Sequence, residues 1–327
     1  MQQGVSVILC CYNSAERLPA TLEHLAKQET NENLDWEIIV VDNASTDDTA
    51  AKAQSIWKNA GTAIDCKVLR EPRPGLGHAR HAGIAAAKYE YIIFCDDDNW
   101  FGKGYVQQIA GMLANNDRIG VLGGRCEAIS NIDIPFWFNT YQQFYAVGCQ
   151  ALYNGDVGER NYVYGAGMAF KKTVYTALLD AGFPSLLTDR TGESLVSGGD
   201  TEICYIHRLA GFQIWYDESL FFQHFMEVKR LEKKYLEKLM AGALEGIALL
   251  HPYIPLLKMG KTGLLKRFFL FIFYLLRSIP ASLLPGKDPR FHLAYAEAYN
   301  PFPLSFHKEV KKIKKASLMF RQGYRNT

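Results

Sequence analysis

The chain has 327 residues, 48% of them apolar and 21% charged, which excludes a disordered or low-complexity protein and predicts one large domain with an appendage. Of its 36 basic and 34 acidic residues, 14 basic but only 3 acidic ones lie from Lys258 to the C-terminus. An acidic body with a basic tail predicts that the tail meets something anionic, either a membrane surface or a nucleic acid.

The seven cysteines are odd in number and form no Cys-x-x-Cys pair. Cys10, Cys11 and Cys95 lie in apolar, strand-like runs, as buried reduced cysteines of cytosolic proteins do. This pattern argues against a disulfide framework and against a zinc site. No charged-then-apolar leader precedes Val5, so we expect no signal peptide.

Apolar runs and helix-like segments alternate through the first hundred residues. The runs Val5–Cys11 and Trp36–Val41 are continuous and rich in β-branched residues, which is typical of strands covered on both faces of a parallel sheet. Ser45–Asp48 has the form of a capping box that opens a helix. The predicted strands are 5–11, 36–41, 63–69 and 91–95, and the predicted helices lie near 18–25, 45–58 and 77–88. Such alternation predicts a doubly wound α/β sheet whose ligands bind beyond the carboxyl ends of the strands.

The middle third is less regular and contains an aromatic-rich stretch between Phe136 and Tyr145. A polar stretch with glycine and serine, Thr188–Gly199, predicts a mobile loop. The other predicted elements are helices at 104–115 and from 173, and strands at 119–122, 163–170, 212–216 and 220–224.

From Leu231 onward the pattern is helical and basic. Its longest uninterrupted apolar run, Phe268–Leu276, would span ~14 Å as a helix, about half of the ~30 Å hydrocarbon thickness. Basic residues flank this run, and Lys-rich sequence follows. These features favour a helix that lies in the membrane interface. A buried core helix with a solvated basic face, or a single re-entrant or spanning helix, are the alternatives.

Three adjacent carboxylates, Asp96, Asp97 and Asp98, follow the apolar run Tyr91–Cys95. They repel one another unless a cation lies among them. Hard oxygen ligands suit Mg²⁺ or Mn²⁺, which commonly also binds a diphosphate and neutralises charge on a leaving group. The alternative is a set of loop carboxylates that cap the next helix.

Other candidates stand near predicted strand ends. Asp42 is suited to accept a hydrogen bond from the ring N–H of a base such as uracil, although Asp-Asn-Ala-Ser is also ordinary turn chemistry. Arg80 is placed to face donor phosphates, whereas Asp200 is either a general base or a helix cap. His224 is a metal or phosphate contact or a structural residue. Neither Gly75-Leu-Gly77 nor Gly165-Ala-Gly167 completes the Gly-x-Gly-x-x-Gly pattern, which argues against a dinucleotide-binding dehydrogenase.

Taken together, these motifs resemble family 2 glycosyltransferases of the GT-A fold, from about Val5 to Tyr235. VSVILCCYNSAERL resembles the opening strand with its Tyr-Asn turn, and WEIIVVDNASTDDT the nucleotide-binding aspartate segment. GLGHARHAGIAAAKYEYIIFCDDDN is similar to the donor-phosphate helix followed by the Asp-x-Asp metal motif. GAGMAFKK and GGDTEIC resemble the acceptor-side strand and the segment that supplies the catalytic base.

The resemblance implies a role for each matched residue. It implies Asp200 as catalytic base, Asp96 on the ribose side and Asp98 on the metal. The expected substrate-binding residues are Tyr12, Asn13, Asp42, Arg80, Asp96, Asp97, Gly167 and Glu202, and the expected metal ligands are Asp98, Asp96 and His224.

Two positions depart from the family pattern. His81 stands where the family often has Asn, and Gly199-Asp200 replaces a common Glu-Asp pair. The Gln-x-x-Arg-Trp motif of processive synthases is absent, which favours an enzyme that adds a single sugar.

The expected fold is therefore α/β, a GT-A-type doubly wound, mostly parallel sheet with a helical, membrane-associated C-terminal region. Residues 1–232 form the glycosyltransferase domain, with a nucleotide-sugar half (1–98) and an acceptor half (99–232), and residues 233–327 form the basic C-terminal region.

The expected activity is inverting transfer from a nucleotide-diphosphate sugar, UDP favoured, to an acceptor hydroxyl with Mg²⁺ or Mn²⁺. A lipid-linked or saccharide acceptor at the cytoplasmic face of the inner membrane, with no nucleic-acid partner, points to surface polysaccharide or glycolipid assembly. The rival classes are a metal-dependent nucleotidyltransferase and a non-catalytic, membrane-attached nucleotide-sugar-binding protein.

Overall fold

The computed structural model describes residues 2–187, 195–258, 263–283, 290–300, 305 and 307–324. Its strands are β1 (Gln2–Cys11), β2 (Trp36–Asn43), β3 (Asp65–Glu71), β4 (Tyr89–Asp96), β5 (Asn99–Phe101), β6 (Ile119–Ile129), β7 (Gly155–Asp156), β8 (Ala169–Lys171) and β9 (Gln213–Phe225). Its α-helices are α1 (Leu18–Ala26), α2 (Thr49–Ala60), α3 (Leu76–Ala86), α4 (Tyr105–Asn115), α5 (Phe138–Tyr141), α6 (Lys172–Asp180), α7 (Gly199–Ala210), α8 (Lys233–Leu249), α9 (Ile254–Lys258), α10 (Leu264–Leu283), α11 (Arg290–Tyr299) and α12 (Lys308–Tyr324).

One mixed sheet joins these strands in the order β3-β2-β1-β4-β8-β6-β9-β5, and β7 pairs with β9. The half formed by β3, β2, β1 and β4 is parallel, as the continuous apolar runs predicted, and all eight residues of β2 are buried. Strand β8 is antiparallel to both neighbours, and β6 and β9 are again parallel. The register aligns Cys11 with Asp42 and Cys10 with Asp96, so three predicted strand ends share one edge.

Several predicted elements have different bounds in the structure. The predicted strand 163–170 is strand only from Ala169, because Gly167 adopts φ +71° and its carbonyl accepts a hydrogen bond from Tyr105 Oη at 2.7 Å. The strands predicted at 212–216 and 220–224 are one strand, β9. Residues 188–194 of the predicted mobile loop lie outside the described residues.

Helix α2 also starts later than the capping-box pattern predicted. It begins at Thr49, and the side chain of its N-cap residue, Asp48, makes no capping hydrogen bond. The Asp47 carboxylate accepts hydrogen bonds from the backbone N–H groups of Ala15 and Thr49, at 3.0 and 3.1 Å. All seven cysteines are free thiols, as expected, and Cys11 and Cys95 are buried.

The C-terminal helices are built onto the sheet domain. Helix α8 buries Leu236 and Leu239 in the same core as β1 and β4. Helices α9, α11 and α12 share a second core with α6 and α7, and Ser317 and Arg321 of α12 both donate hydrogen bonds to the Leu209 carbonyl of α7. The division of the chain at residue 232 stays a prediction.

No single helix within the described residues is both long and apolar enough to cross a bilayer. Helix α8 and the segment His251–Lys258, bent by 43° at their junction, meet the same length and composition test as a pair.

Two glycines of α8 allow very close packing of the segment that precedes α7. A Cβ atom on Gly242 would lie 2.2 Å from the Leu195 carbonyl oxygen, and one on Gly246 would lie 1.7 Å from the Ser197 carbonyl oxygen. Because both neighbours are backbone atoms, no side-chain rotation relieves these clashes. Helix α8 therefore sets the position of the segment 195–198.

We predict that Gly246→Ala lowers the free energy of unfolding by about 1–3 kcal/mol, because overpacking outweighs the ~1 kcal/mol by which alanine favours a helix. Urea denaturation measures this change. Gly111→Ala in α4 is the matched control, since its added Cβ meets nothing within 4 Å and should leave stability equal or higher. Equal stabilisation by both substitutions would contradict the packing described here.

Candidate functional site

A cavity of about 260 Å³ opens at the edge of the sheet where β1, β2 and β4 end. Its walls come from these strand ends, the first turns of α3 and α7, the 165–166 turn, the segment 195–198 and residues that follow β6 and β9. Ligands of doubly wound sheets bind at this edge, so the cavity is the candidate site.

Seven of the eleven predicted site residues line this cavity. They are Tyr12, Arg80, Asp96, Asp97, Asp98, Asp200 and His224. Asp98 and Asp200 are 102 positions apart in the sequence numbering, and the fold brings both to one cleft. The convergence of carboxylates that the motifs predicted is therefore present for these residues.

The middle carboxylate of the aspartate run, Asp97, is held by a cation from another part of the chain. Arg17 Nη2 lies 2.7 Å from Asp97 Oδ2, and the Ser14 hydroxyl donates to the same oxygen. Burial and then the neighbouring charge of Asp98 raise the pKa of Asp97, and Arg17 opposes this shift. Asp97 thus anchors Arg17 at the cavity wall.

The third carboxylate, Asp98, is engaged by a second cation. Arg230 forms an ion pair with Asp98 Oδ2, and His224 Nε2 lies 3.2 Å from Asp98 Oδ1. Burial opposes ionisation of Asp98, but His224 and then Arg230 outweigh it and hold the pKa of Asp98 well below its usual range. Asp98 is therefore a charged carboxylate at neutral pH.

Of the three residues that were expected to bind a metal, Asp98 and His224 are spaced as two ligands of one ion would be. Two ligands bound at about 2.1 Å on adjacent corners of an octahedron lie about 3 Å apart, close to the separation of Asp98 Oδ1 and His224 Nε2. In the part of the chain that the structure describes, no set of three or more His, Cys, Asp or Glu side chains is arranged around one ion position. Among the described residues, Asp98, Asp96 and His224 are therefore not gathered around one ion position, and Arg230 pairs with the second oxygen of Asp98.

Asp200 lines the cavity from the first turn of α7. The backbone N–H of Gly165 donates to Asp200 Oδ2 at 2.7 Å, and that of Thr201 donates to Oδ1 at 2.8 Å. A Cβ atom on Gly165 would lie 2.8 Å from Arg80 Nη2 and 2.9 Å from Asp200 Cβ. Glycine at this position therefore allows Arg80 and Asp200 to approach the same point of the cavity wall.

Asn13 and Asp42 do not line the cavity. Asn13 adopts φ +47°, and its Oδ1 accepts a hydrogen bond from the backbone N–H of Thr46 at 2.8 Å, so it fastens the loop after β2. Asp42 is buried and accepts from the Ser45 backbone N–H at 3.2 Å. Neighbouring residues of a strand point to opposite faces, and at the end of β2 it is Asn43 that lines the cavity.

Gly167 and Glu202 also lie outside the cavity lining. Gly167 is buried in the turn before β8, where an added Cβ atom would lie 2.4 Å from Tyr105 Oη. Glu202 accepts hydrogen bonds from the Leu186 N–H at 2.8 Å and from the Tyr253 hydroxyl at 3.0 Å. Residues two apart on a helix point about 200° from each other, so Glu202 cannot share the direction of Asp200.

Three cavity residues that shape the site, Arg17, Asn43 and Arg230, were not among the predicted site residues. Arg17 and Arg230 neutralise the aspartate run, and Asn43 donates to the Arg73 carbonyl at 2.7 Å and accepts from the Gly75 N–H at 2.8 Å, which positions the start of α3. The sequence offered one signal for the two arginines, the three adjacent negative charges of the aspartate run. This signal predicts that cations lie nearby, but it does not identify the residues that supply them.

Comparison with known proteins identifies the family of the chain. The model of glycosyl transferase family 2 matches residues 6–178, more than half of the chain, so the chain belongs to this family. It is 28% identical over 182 residues to a poly-beta-1,6-N-acetyl-D-glucosamine synthase of Staphylococcus epidermidis, a match that covers 55% of this chain and 42% of that protein. It is 35% identical over 133 residues to an uncharacterized glycosyltransferase of Mycobacterium tuberculosis, covering 41% of this chain and 53% of that protein. The chain thus spans about half the length of these relatives.

Solved structures of Staphylococcus aureus TarS have a similar fold. TarS 1–349 covers 98% of this chain and 92% of its own, with a TM-score of 0.53 and 16% identity. Its complex with UDP-GlcNAc gives a TM-score of 0.55 and 17% identity, with the same coverage. At this identity the likeness shows the fold alone. The predicted family is confirmed, as is the mostly parallel α/β sheet, and the nucleotidyltransferase alternative loses its support.

We predict that Arg17→Met lowers the free energy of unfolding by about 3 kcal/mol, because it leaves Asp97 buried beside Asp98 without its cation. Adding Asp97→Asn should restore part of this loss, which chemical denaturation measures. Lys27→Met, which breaks an exposed pair with Glu23, is the control and should change stability by less than about 1 kcal/mol. If Arg17→Met has no larger effect than the control, the pair does not support the cavity wall.

Proposed function

We propose that this chain is an inverting glycosyltransferase that moves a sugar from a nucleotide-diphosphate sugar, UDP favoured, to an acceptor hydroxyl. The observation that carries this proposal is that the Asp200 carboxylate lines the same cavity as Asp96–Asp98 and Arg80. The cavity thus offers a base together with the ionic groups that a diphosphate donor needs. Two of the similar TarS structures are complexes with UDP and with UDP-GlcNAc, which supports a uridine donor.

Asp200 is the proposed general base. Its carboxylate is half-buried at the cavity wall, and two backbone N–H groups fix both of its oxygens. It takes the proton from the acceptor hydroxyl as that oxygen forms its bond to the anomeric carbon. The bond between that carbon and the diphosphate oxygen breaks on the opposite side, and its electron pair leaves with the nucleoside diphosphate. Displacement from one side inverts the anomeric configuration.

Other groups that line the cavity are proposed to receive the charge of the diphosphate. Arg80 is held at the cavity with its guanidinium 4.8 Å from the centre of the Phe94 ring, and it faces the donor phosphates. Asp98 and His224 are the residues that would hold Mg²⁺ or Mn²⁺, and Asp96 lines the same cavity. Such an ion, when bound, supplies Lewis-acid neutralisation of the leaving diphosphate.

The donor base is proposed to lie near the ends of β1 and β2. Tyr12 lines the cavity there with a side chain that is 46% exposed, which suits stacking on a planar base. Recognition of the base by Asp42 stays a prediction, since Asn43 and not Asp42 lines the cavity at the end of β2, and Asp96 is proposed to lie on the ribose side. Asn13, Gly167 and Glu202 act on the substrates only through the loops that they hold.

The acceptor is proposed to be lipid-linked or a saccharide, at the cytoplasmic face of the inner membrane, to which the chain attaches peripherally. The charge asymmetry of the chain supports attachment to an anionic surface rather than to nucleic acid. Relatives include a synthase of poly-beta-1,6-N-acetyl-D-glucosamine, which supports a role in surface polysaccharide or glycolipid assembly. Since the processive Gln-x-x-Arg-Trp motif is absent, we propose a single addition.

We expect Asp200→Asn and Asp98→Ala each to reduce transfer at least about 10³-fold, because one lacks the base and the other lacks the ligand for the metal and the partner of Arg230. Sugar transfer from UDP-sugars is the measurement. Asp200→Asn should still be stabilised thermally by UDP with Mn²⁺, since its defect lies in proton removal. Asp48→Asn, at an exposed position, is the control with full activity. Wild-type transfer rates in either site variant would refute the assigned roles.

We further expect a divalent ion and Arg230 to compete for Asp98. Arg230→Gln should raise the affinity for Mn²⁺ without nucleotide by about tenfold or more, since it removes a buried positive charge next to the metal ligands. Titration followed by the paramagnetic resonance of free Mn²⁺ measures this affinity. The exposed neighbour Lys229, changed to Gln, is the control and should leave the affinity unchanged. Removal of metal with EDTA should stop transfer by the native chain, and Mg²⁺ or Mn²⁺ should restore it. Lower Mn²⁺ affinity in Arg230→Gln would contradict the competition.

A further inference from the structure

Helix α10 has two apolar faces, and only one of them is covered. On the covered face, Phe271 is buried, and Tyr274 packs with its ring centroid 4.7 Å from that of Tyr295 in α11. The other face is open to solvent: Leu265 is 71% exposed and Phe269 is 63% exposed. A helix that is only folded into a protein core does not need a second apolar face of this size.

The open face is continuous along the helix. At about 100° of rotation per residue, its members fall within an arc of about 140°. We call this surface the α10 apolar face; it consists of Leu265, Phe268, Phe269, Ile272, Phe273 and Leu276, of which all but the half-buried Ile272 are exposed. It extends over three turns, and its six side chains are three phenylalanines, two leucines and one isoleucine.

Cationic side chains stand at the border of this face. Lys266 and Arg277 are exposed, lie about 20° apart around the helix axis, and flank the same edge of the apolar arc. The Arg277 guanidinium lies 4.9 Å from the centre of the Phe273 ring, so charge and aromatic surface are adjacent. Helix α10 contains no Asp or Glu.

We propose that the α10 apolar face lies in the interface of an anionic lipid bilayer, with Lys266 and Arg277 on the headgroups. An apolar arc of this kind bordered by Lys and Arg is the pattern of helices that lie in the plane of a membrane. Aromatic side chains favour the boundary between headgroups and acyl chains, and basic residues gain affinity from anionic lipids. The proposal rests on the proposed function for its purpose, which is to bring the cavity to a membrane-borne acceptor.

The charge of the neighbouring helices favours lipid over a second copy of the chain. The part of the sequence from Lys258 onward is strongly basic, and α12 presents Lys308, Lys312 and Lys315 as exposed side chains. Two copies that met through α10 would bring the Lys266 and Arg277 side chains of both copies to one interface, which costs free energy. An anionic surface would instead be attracted to them.

The test is flotation of the full chain with vesicles of phosphatidylcholine, with or without phosphatidylglycerol. We expect strong binding to the anionic vesicles and weak binding to the neutral ones. Phe269→Glu with Phe273→Glu should reduce partitioning to both kinds of vesicle at least about tenfold. Lys266→Gln with Arg277→Gln should weaken binding to the anionic vesicles by about fivefold per cation and leave neutral vesicles unaffected.

Leu244→Glu with Ile247→Glu is the matched control, because these apolar residues are equally exposed but lie on α8. Unchanged binding of the α10 double variant, or an equal loss in the α8 control, would overturn the proposal. A third outcome would also overturn it. If the native chain sediments as a dimer, and Phe269→Glu with Phe273→Glu makes it a monomer without weakening vesicle binding, then a second copy of the chain covers the face.

Thermal stabilisation by UDP with Mn²⁺ shows whether each variant is folded. Transfer to a soluble acceptor tests the catalytic proposal separately, since a chain that transfers sugar but does not float contradicts this inference alone. A chain that floats but transfers no sugar contradicts the proposed function alone.

Discussion

The candidate site depends on how the acidic run at the end of β4 is neutralised. Two of its carboxylates, Asp97 and Asp98, are buried side by side, and they repel each other in surroundings that screen charge poorly. Arg17 and Arg230, which are far apart in the sequence, each form an ion pair with one of these carboxylates. These pairs connect the start of the first helix, the end of β4 and the segment after β9. The ion pairs that neutralise the aspartates therefore also hold these three parts of the cavity together.

The sheet supplies the rest of the site through its register. Parallel strands β1, β2 and β4 end at one edge, and the antiparallel insertion of β8 brings the turn at Gly165 to the same edge. Gly165 then lets Arg80 and Asp200 meet across a backbone that carries no side chain. Loop residues supply the chemical groups, whereas buried strands fix where those groups stand.

The sequence predicted the parallel half of the sheet well, because strands that are buried on both faces are continuous apolar runs. The bounds of a strand were predicted less well where the backbone conformation depends on contacts with residues far away in the sequence. Gly167 is an example, because its turn is held by a hydrogen bond from Tyr105. For the site, residues directly after strands were found, since chain order alone places them at the ligand-binding edge. Arg17 and Arg230 lie 80 and 132 positions from their carboxylates, a separation at which no sequence pattern identifies partners.

The contact between Gly246 and the Ser197 carbonyl has a consequence for how the chain can be divided. The segment 195–198 forms part of the cavity wall, yet its support is α8, which follows the region that the family motifs cover. A fragment that stops near residue 232 would keep every acidic group of the site and lose the brace behind one wall. The smallest self-sufficient catalytic unit therefore has to extend through Leu249.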